Sequence, residues 1–266
     1  MSVIETGPVS DALVITWRNL KRIPRIPELA IFAVLQSIMF VLLFAYVFGG
    51  AIPLPDGGSY KEFLIPGIFV QTIAFASATT AIGIADDMGK GLIDRFRSLP
   101  MARSAVLTGR TIADVIYQAG ILVVLMVAGL VVGWRVNNGL AKFIFAVVLL
   151  LAFAYVMAWI GVWIGLSVPN TETAQQLTFV TIFPLTFISN VFVPPASLPA
   201  ILQPIAEWNP VSTLTASCRE LFGNPNPTIG TAFPSQHPIE VTIVWCIVLI
   251  AIFAPLAVRK YRNTSR

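Results

Sequence analysis

Of 266 residues, 56% are hydrophobic and 11% charged, with a mean hydropathy of +0.82, against roughly 45–50% apolar and about 25% charged in a soluble domain. The apolar runs approach the ~20 residues that a spanning helix needs, which excludes a single soluble core and also an outer-membrane barrel, whose spans alternate over ~10 residues. With 17 Lys and Arg against 13 Asp and Glu the net charge is +4, and in a membrane chain that excess marks cytoplasmic loops and gives no reason to expect nucleic acid.

In chain order, residues 10–25 open with a helix predicted from Ser10 to Arg22, in which Leu13, Val14, Trp17 and Leu20 share a face and Ser10 stands at the cap. Trp17 suits an interfacial helix lying on the inner leaflet; a plain juxtamembrane basic stretch is the alternative. Uncharged apolar runs then give six predicted spans: Leu29 to Gly49, Phe63 to Ala85, Val115 to Trp134, Phe143 to Val168, Thr173 to Val193 and Val241 to Val258. The fifth contains Pro184, which removes a backbone hydrogen bond but is tolerated where neighbours re-satisfy the freed carbonyl. Residues 86–110 form a loop in which Leu92, Phe96 and Leu99 fall on one face of a short helix ended by Pro100. That apolar face needs a partner protein or the membrane surface. Residues 194–240 are apolar for a loop, with Leu198, Ile201, Leu202, Ile205 and Trp208 at helical spacing and a second helix expected over Val211 to Phe222. This segment reads as a pair of re-entrant helices, or alternatively as a small outer cap.

Basic residues set the orientation. Arg18, Lys21, Arg22 and Arg25 precede span one; Lys90, Arg95, Arg97, Arg103 and Arg110 lie between spans two and three; Arg259, Lys260, Arg262 and Arg266 follow span six. The other side holds only Lys61, Arg135, Lys142 and Arg219. Both termini are therefore expected in the cytoplasm. Met1 to Asp11 lacks the basic start of a signal peptide, so span one is expected to remain as an anchor.

As drawn, no span carries a charge inside it, which leaves no visible route for harvesting an ion gradient. A phosphate loop, a His-Glu-x-x-His motif and a Gly-x-Ser-x-Gly motif are all missing, so no catalytic residue is assigned and ATP is not expected to bind here by that loop. Cys218 and Cys246 are too few for a disulfide framework and His237 alone is too little for a metal cluster. A transport path lined by neutral polar groups is expected to use Gln71, Thr72, Ser77, Thr79 and Asn190. Gln36 and Gln118 are also polar residues near spans, and interhelical hydrogen bonding explains all of these equally well. The aromatic residues read as scattered around the spans, which argues against a sugar path lined by stacking platforms. Gly129-x-x-x-Gly133 and Gly161-x-x-x-Gly165 permit close helix packing.

Three patterns carry a family resemblance: Gly91-Leu-Ile-Asp-Arg-Phe-Arg-Ser-Leu-Pro100 with Gly109-Arg110; Phe183-Pro-Leu-Thr-Phe-Ile-Ser189 leading to Val193-Pro-Pro-Ala-Ser-Leu-Pro199; and Asn209-Pro210-Val211 with Arg219 downstream. Together they resemble the type-2 ABC transporter permeases of the daunorubicin-resistance-like branch, over nearly the whole chain. Asp86, Asp87 and Gly89 stand where that family has an acidic residue, more often glutamate, and a following glycine. The resemblance implies an all-α membrane protein in which residues 1–266 form one permease domain. It implies six spans, an interfacial helix, a coupling helix using Leu92, Asp94, Phe96, Arg97 and Leu99, and two short outer helices. It further implies a permease dimer in the bacterial inner membrane on separate ATPase subunits, where ATP and Mg would bind. The expected cargo is a drug or secondary metabolite, then a lipid, then a polysaccharide or glycolipid; a non-transporting scaffold or an intramembrane enzyme are the other readings.

Overall fold

A computed structural model describes residues 7–22, 27–48, 59–91, 103–227 and 232–263, and these are all-helical. The helices are α1 (Pro8–Arg22), α2 (Pro27–Leu42) continued by a π-helical segment (Leu43–Phe48), α3 (Tyr60–Gly89), α4 (Arg103–Val132), α5 (Gly139–Gly165), α6 (Thr171–Phe187), α7 (Gln203–Trp208), α8 (Pro210–Phe222), α9 (Phe233–Gln236) and α10 (Pro238–Asn263). A 3-10 turn, Pro195–Ser197, lies between α6 and α7. Among the described residues, α3, α4, α5 and α10 are long and apolar enough to cross a membrane.

Helix boundaries depart from the hydropathy runs where charges are paired. The loop expected over 86–110 is much shorter, because α3 continues through Asp86 and Asp87 to Gly89 and α4 already begins at Arg103. Arg110 and Asp114 are consequently helical residues, in turns of these longer helices that lie beyond the apolar runs Phe63 to Ala85 and Val115 to Trp134. The helices can extend this far because the charges are paired and hydrogen-bonded: Arg110 Nη1 sits 3.1 Å from Asp87 Oδ2, its Nε 3.3 Å from Asp114, and Thr80 Oγ1 donates to Asp114 at 2.8 Å. Leu92, Asp94, Phe96, Arg97 and Leu99 lie outside the described residues.

Helix α3 is the hub, packing on α2, α4, α5, α6 and α8. A side chain at Gly161 or Gly165 of α5 would collide with the Ser77 or Ala81 carbonyl of α3, so this glycine pair sets the closest helix contact in the core. The pair Gly129 and Gly133 behaves differently. Gly129 packs under Ile65 and Trp134, whereas Gly133, with φ of +116°, ends α4. Helix α1 buries Ala12, Ile15 and Thr16 against α4 around Gly109, with Thr16 Oγ1 donating to the Gly109 carbonyl at 3.0 Å. Its opposite face leaves Leu13, Val14 and Trp17 exposed.

The fifth expected span stops at Phe187, and residues 188–194 are irregular yet almost wholly buried. In an apolar setting every carbonyl there needs a partner. Asn209 Nδ2 donates to Leu185 O (2.6 Å) and Ile188 O (2.8 Å) while its Oδ1 accepts from Val211 N at the start of α8. One side chain thus closes α6 and caps α8. Arg219, fully buried, donates from Nη2 to Asn190 O (2.9 Å) and Val191 O (3.1 Å) and from Nε to Phe63 O (2.7 Å), and its guanidinium lies 3.5 Å from the Phe63 ring centre. Tyr60 donates to Phe192 O at 2.9 Å. Gly67 of α3 completes the fit, since a Cβ there would lie 2.7 Å from Val191 O.

The single helix suggested by Leu198 to Trp208 is instead a turn and the six-residue α7, because Pro199 and Pro204 limit regular hydrogen bonding. Helix α8 ends on Gly223 in the left-handed conformation (φ +72°), and the α4–α5 turn covers that end: Asn138 Nδ2 donates to Glu220 O (2.7 Å) and Trp134 Nε1 to Asn224 Oδ1 (2.7 Å). Asn209→Ala should lower stability by about 2 kcal/mol or more, since two carbonyls and a cap lose their partner. Asn209→Asp keeps the cap acceptor but not the donor and should do no better, as read from unfolding midpoints of the purified protein.

Candidate functional site

A cavity of about 420 Å³ lies among α2, α3, α4 and α6. Its wall on α3 is one helical stripe, Ile68, Gln71, Thr72, Phe75 and Thr79, at spacings that return to the same face. Facing it, α6 places Gln175, Phe179, Phe183 and Phe187 four residues apart on a single stripe. Tyr117 and Gln118 come from α4, Gln36 and Phe40 from α2. Gln118 Nε2 donates to the Thr72 carbonyl at 3.2 Å, which ties α4 to α3 at mid-cavity.

The phenyl rings of α6 are stacked on one another, Phe179 on Phe183 at 5.0 Å and Phe183 on Phe187 at 4.1 Å between centroids. The series continues through Phe192 (5.2 Å from Phe187) to Phe44 of the π-helical segment (4.5 Å) and Phe40 (5.9 Å from Phe44). This overturns the expectation that the aromatic residues scatter; on α6 they form a continuous ladder. The cause is the four-residue repeat, which one turn of helix converts into a column. Phe179, Phe183 and Phe187 keep 52%, 37% and 40% of their surface exposed, an arrangement that leaves part of each side chain open to a further apolar body.

Chemically the cavity offers neutral carboxamides, hydroxyls and phenyl rings, with no acidic or basic side chain among the described residues that line it. A volume of this order suits a small organic molecule, with a few polar groups placed to orient it. The structure brings Gln71, Thr72 and Thr79 together here. Ser77 lies on the far side of α3, fully buried, its hydroxyl donating to Ala74 O at 2.8 Å. Asn190 belongs to the irregular segment after α6 and borders a separate cavity of about 20 Å³ near Ser212 and Asn226. The α6 stripe was not singled out from the sequence, although its signal, a Gln followed by three Phe at intervals of four, is plainly present.

Residues 11–222 match the ABC-2 type transporter family. The chain belongs to that family. It is 32% identical, over 97% of its own length and 88% of the relative's, to the daunorubicin resistance ABC transporter permease protein DrrB1 of Streptomyces coeruleorubidus. It is 26% identical, over 97% of its length and 90% of the relative's, to a probable doxorubicin resistance ABC transporter permease protein DrrC of Mycobacterium tuberculosis. A putative transport permease ycf38 of Porphyra purpurea is 23% identical over 75% of the chain and 69% of the relative. In this ABC-2 chain, a cysteine at Thr79 should react readily with a small membrane-permeant thiol reagent and one at Ser77 should not, in a background without Cys218 and Cys246. Equal labelling of the two would contradict the placement of the cavity.

Proposed function

We propose that this chain is the membrane-spanning permease subunit of an ATP-driven exporter, and that the cavity between α3 and α6 receives a hydrophobic or amphipathic cargo such as a drug, secondary metabolite or lipid. The observation that carries the reading is the neutral cavity walled by stacked phenylalanines in a chain of the ABC-2 family, two of whose relatives are named for resistance to daunorubicin and doxorubicin. A cargo taken from the cytoplasm or inner leaflet would place its ring systems on the Phe179–Phe187 column and its polar groups on Gln71, Thr72 and Thr79.

The remaining parts of the proposal follow from the same reading. Helix α2 with its π-helical continuation, and α6 with the irregular segment after it, act as the two further spans, making six with both termini in the cytoplasm of a bacterial inner membrane. The α7–α8 pair enters the outer leaflet, which is supported by the backbone carbonyls that Thr213, Thr215, Ser217 and Arg219 of α8 find as hydrogen-bond partners. Helix α1 rests its Leu13–Val14–Trp17 face on lipid. Leu92, Asp94, Phe96, Arg97 and Leu99 dock on a cytoplasmic ATPase that holds ATP and Mg, and a second permease subunit completes the path. A polyprenyl-linked or polymeric sugar is the second reading, favoured by the aromatic ladder.

The test is ATP hydrolysis by the permease reconstituted with its ATPase, titrated with an anthracycline-type drug, a glycolipid and a polyprenyl-linked sugar. The drug should stimulate, and Phe183→Ala should raise the half-stimulating concentration about tenfold, the loss of ~1.4 kcal/mol expected for one stacked aromatic. Stimulation confined to the polyprenyl sugar would overturn the ranking of cargoes.

A further inference from the structure

The ion cluster of α3 and α4 occupies a defined level of the molecule. Along α3 the cavity runs from Ile68 to Ile82, its last turn overlapping Thr80 of the cluster, and Gly83 and Asp87 follow before the end of the helix at Gly89. Along α4 the order is the helix start at Arg103, cluster (Arg110, Asp114), then cavity (Tyr117, Gln118, Ile121). On both helices the cluster separates the cavity from residues 92–102.

Its members tie the two helices at two points. Asp87 of α3 holds Arg110 of α4, Arg110 holds Asp114 one turn on, and Asp114 accepts from Thr80 of α3. Thr80, Gly83 and Asp87 lie on one face of α3, so the ties span two turns. Gly83 gives the guanidinium its space, since a Cβ there would overlap Arg110 Nη2. A sliding of α3 past α4 by a hydrogen-bond length would break the ring of contacts. Helix α1 is joined to the same level through Thr16 and the Gly109 carbonyl, and Arg18, Asn19 and Tyr261 border a small cavity with Asp87 and Arg110.

Apolar side chains of similar volume would fill this level at least as stably, because buried ion pairs seldom beat well-packed hydrophobic groups. What the charges add is fixed register, through the planar fork of Arg110 between two carboxylates. We propose that Thr80, Asp87, Arg110 and Asp114 are positioning residues that couple an ATPase docked at the 92–102 segment to the cavity, keeping its α3 and α4 walls in register. The inference rests on the reading that this segment docks on the ATPase.

The experiment uses the full permease–ATPase complex in lipid vesicles and an anthracycline-type drug as cargo. It reads the ratio of drug-stimulated to unstimulated hydrolysis, drug moved per ATP, and the unfolding midpoint. Arg110→Gln should bring the ratio close to one and lower drug moved per ATP at least tenfold. Arg110→Lys, which keeps the charge without the fork, should be intermediate. Thr80→Val, a nearly isosteric change that removes one hydrogen bond, should lower drug moved per ATP about threefold and covers the case in which Arg110→Gln fails to fold. A merely structural role predicts a lower midpoint with native ratios in the complexes that survive, and that result for Thr80→Val or Arg110→Lys would overturn the inference. A native complex that no cargo stimulates would instead remove the transport reading, and the inference with it.

Discussion

Between Leu185 and Phe192 the chain leaves its helix inside an apolar interior, and five backbone carbonyls lose or lack regular partners. Asn209 takes those of Leu185 and Ile188, Arg219 those of Asn190 and Val191, and Tyr60 that of Phe192. Each unsatisfied group would cost several kcal/mol away from water. The requirement that all be met dictates where α8 sits, why α3 carries Gly67 against Val191, and why an arginine is buried with backbone carbonyls as its hydrogen-bond partners. Carbonyl oxygens stand in for the carboxylate, and the Phe63 ring covers one face of the guanidinium.

The cavity inherits its shape from this arrangement. Because α6 stops at Phe187, Phe192 can turn back onto the phenyl column and meet Phe44 at 4.5 Å, so the ladder bends across from α6 to α2. At the other end, the pairing of Arg110 with Asp87 and Asp114 allows α3 and α4 to run on past the apolar runs and forms the level beneath the cavity. The structure therefore frames one neutral, aromatic-walled space between two strongly polar anchor points. The placement of charge at its boundaries and of carboxamides and rings within it is what makes the cavity suited to an uncharged or amphipathic guest.

Hydropathy alone located every long helix and the amphipathic α1, since each is a continuous apolar or periodic run. Boundaries were less legible: a charge bounded each predicted span at one end or both, but paired charges at Asp87, Arg110 and Asp114 do not end a helix, and pairing is a tertiary property. Gln71, Thr72 and Thr79 were readable as polar positions in a span, yet Ser77 is equally polar and only the rotation of α3 turns it toward Gly161. The Phe column of α6 was readable by periodicity and was missed by counting aromatic residues over the whole chain. Asn209 and Arg219 stood out as parts of a pattern, but their shared task depends on a backbone break whose position no local propensity specifies.

Arg219 donates to carbonyls that remain in place whatever replaces it, so the most direct measurement is the unfolding midpoint of Arg219→Met beside Arg219→Lys. Methionine restores apolar volume and removes the charge, and would be harmless if the arginine were an ordinary buried ion. Here it should cost about 3 kcal/mol, near ~10 °C in midpoint, with lysine recovering part of the loss by donating to one or two of the carbonyls. An Arg219→Met protein as stable as the native one would contradict the claim that side-chain donors hold the chain break in place.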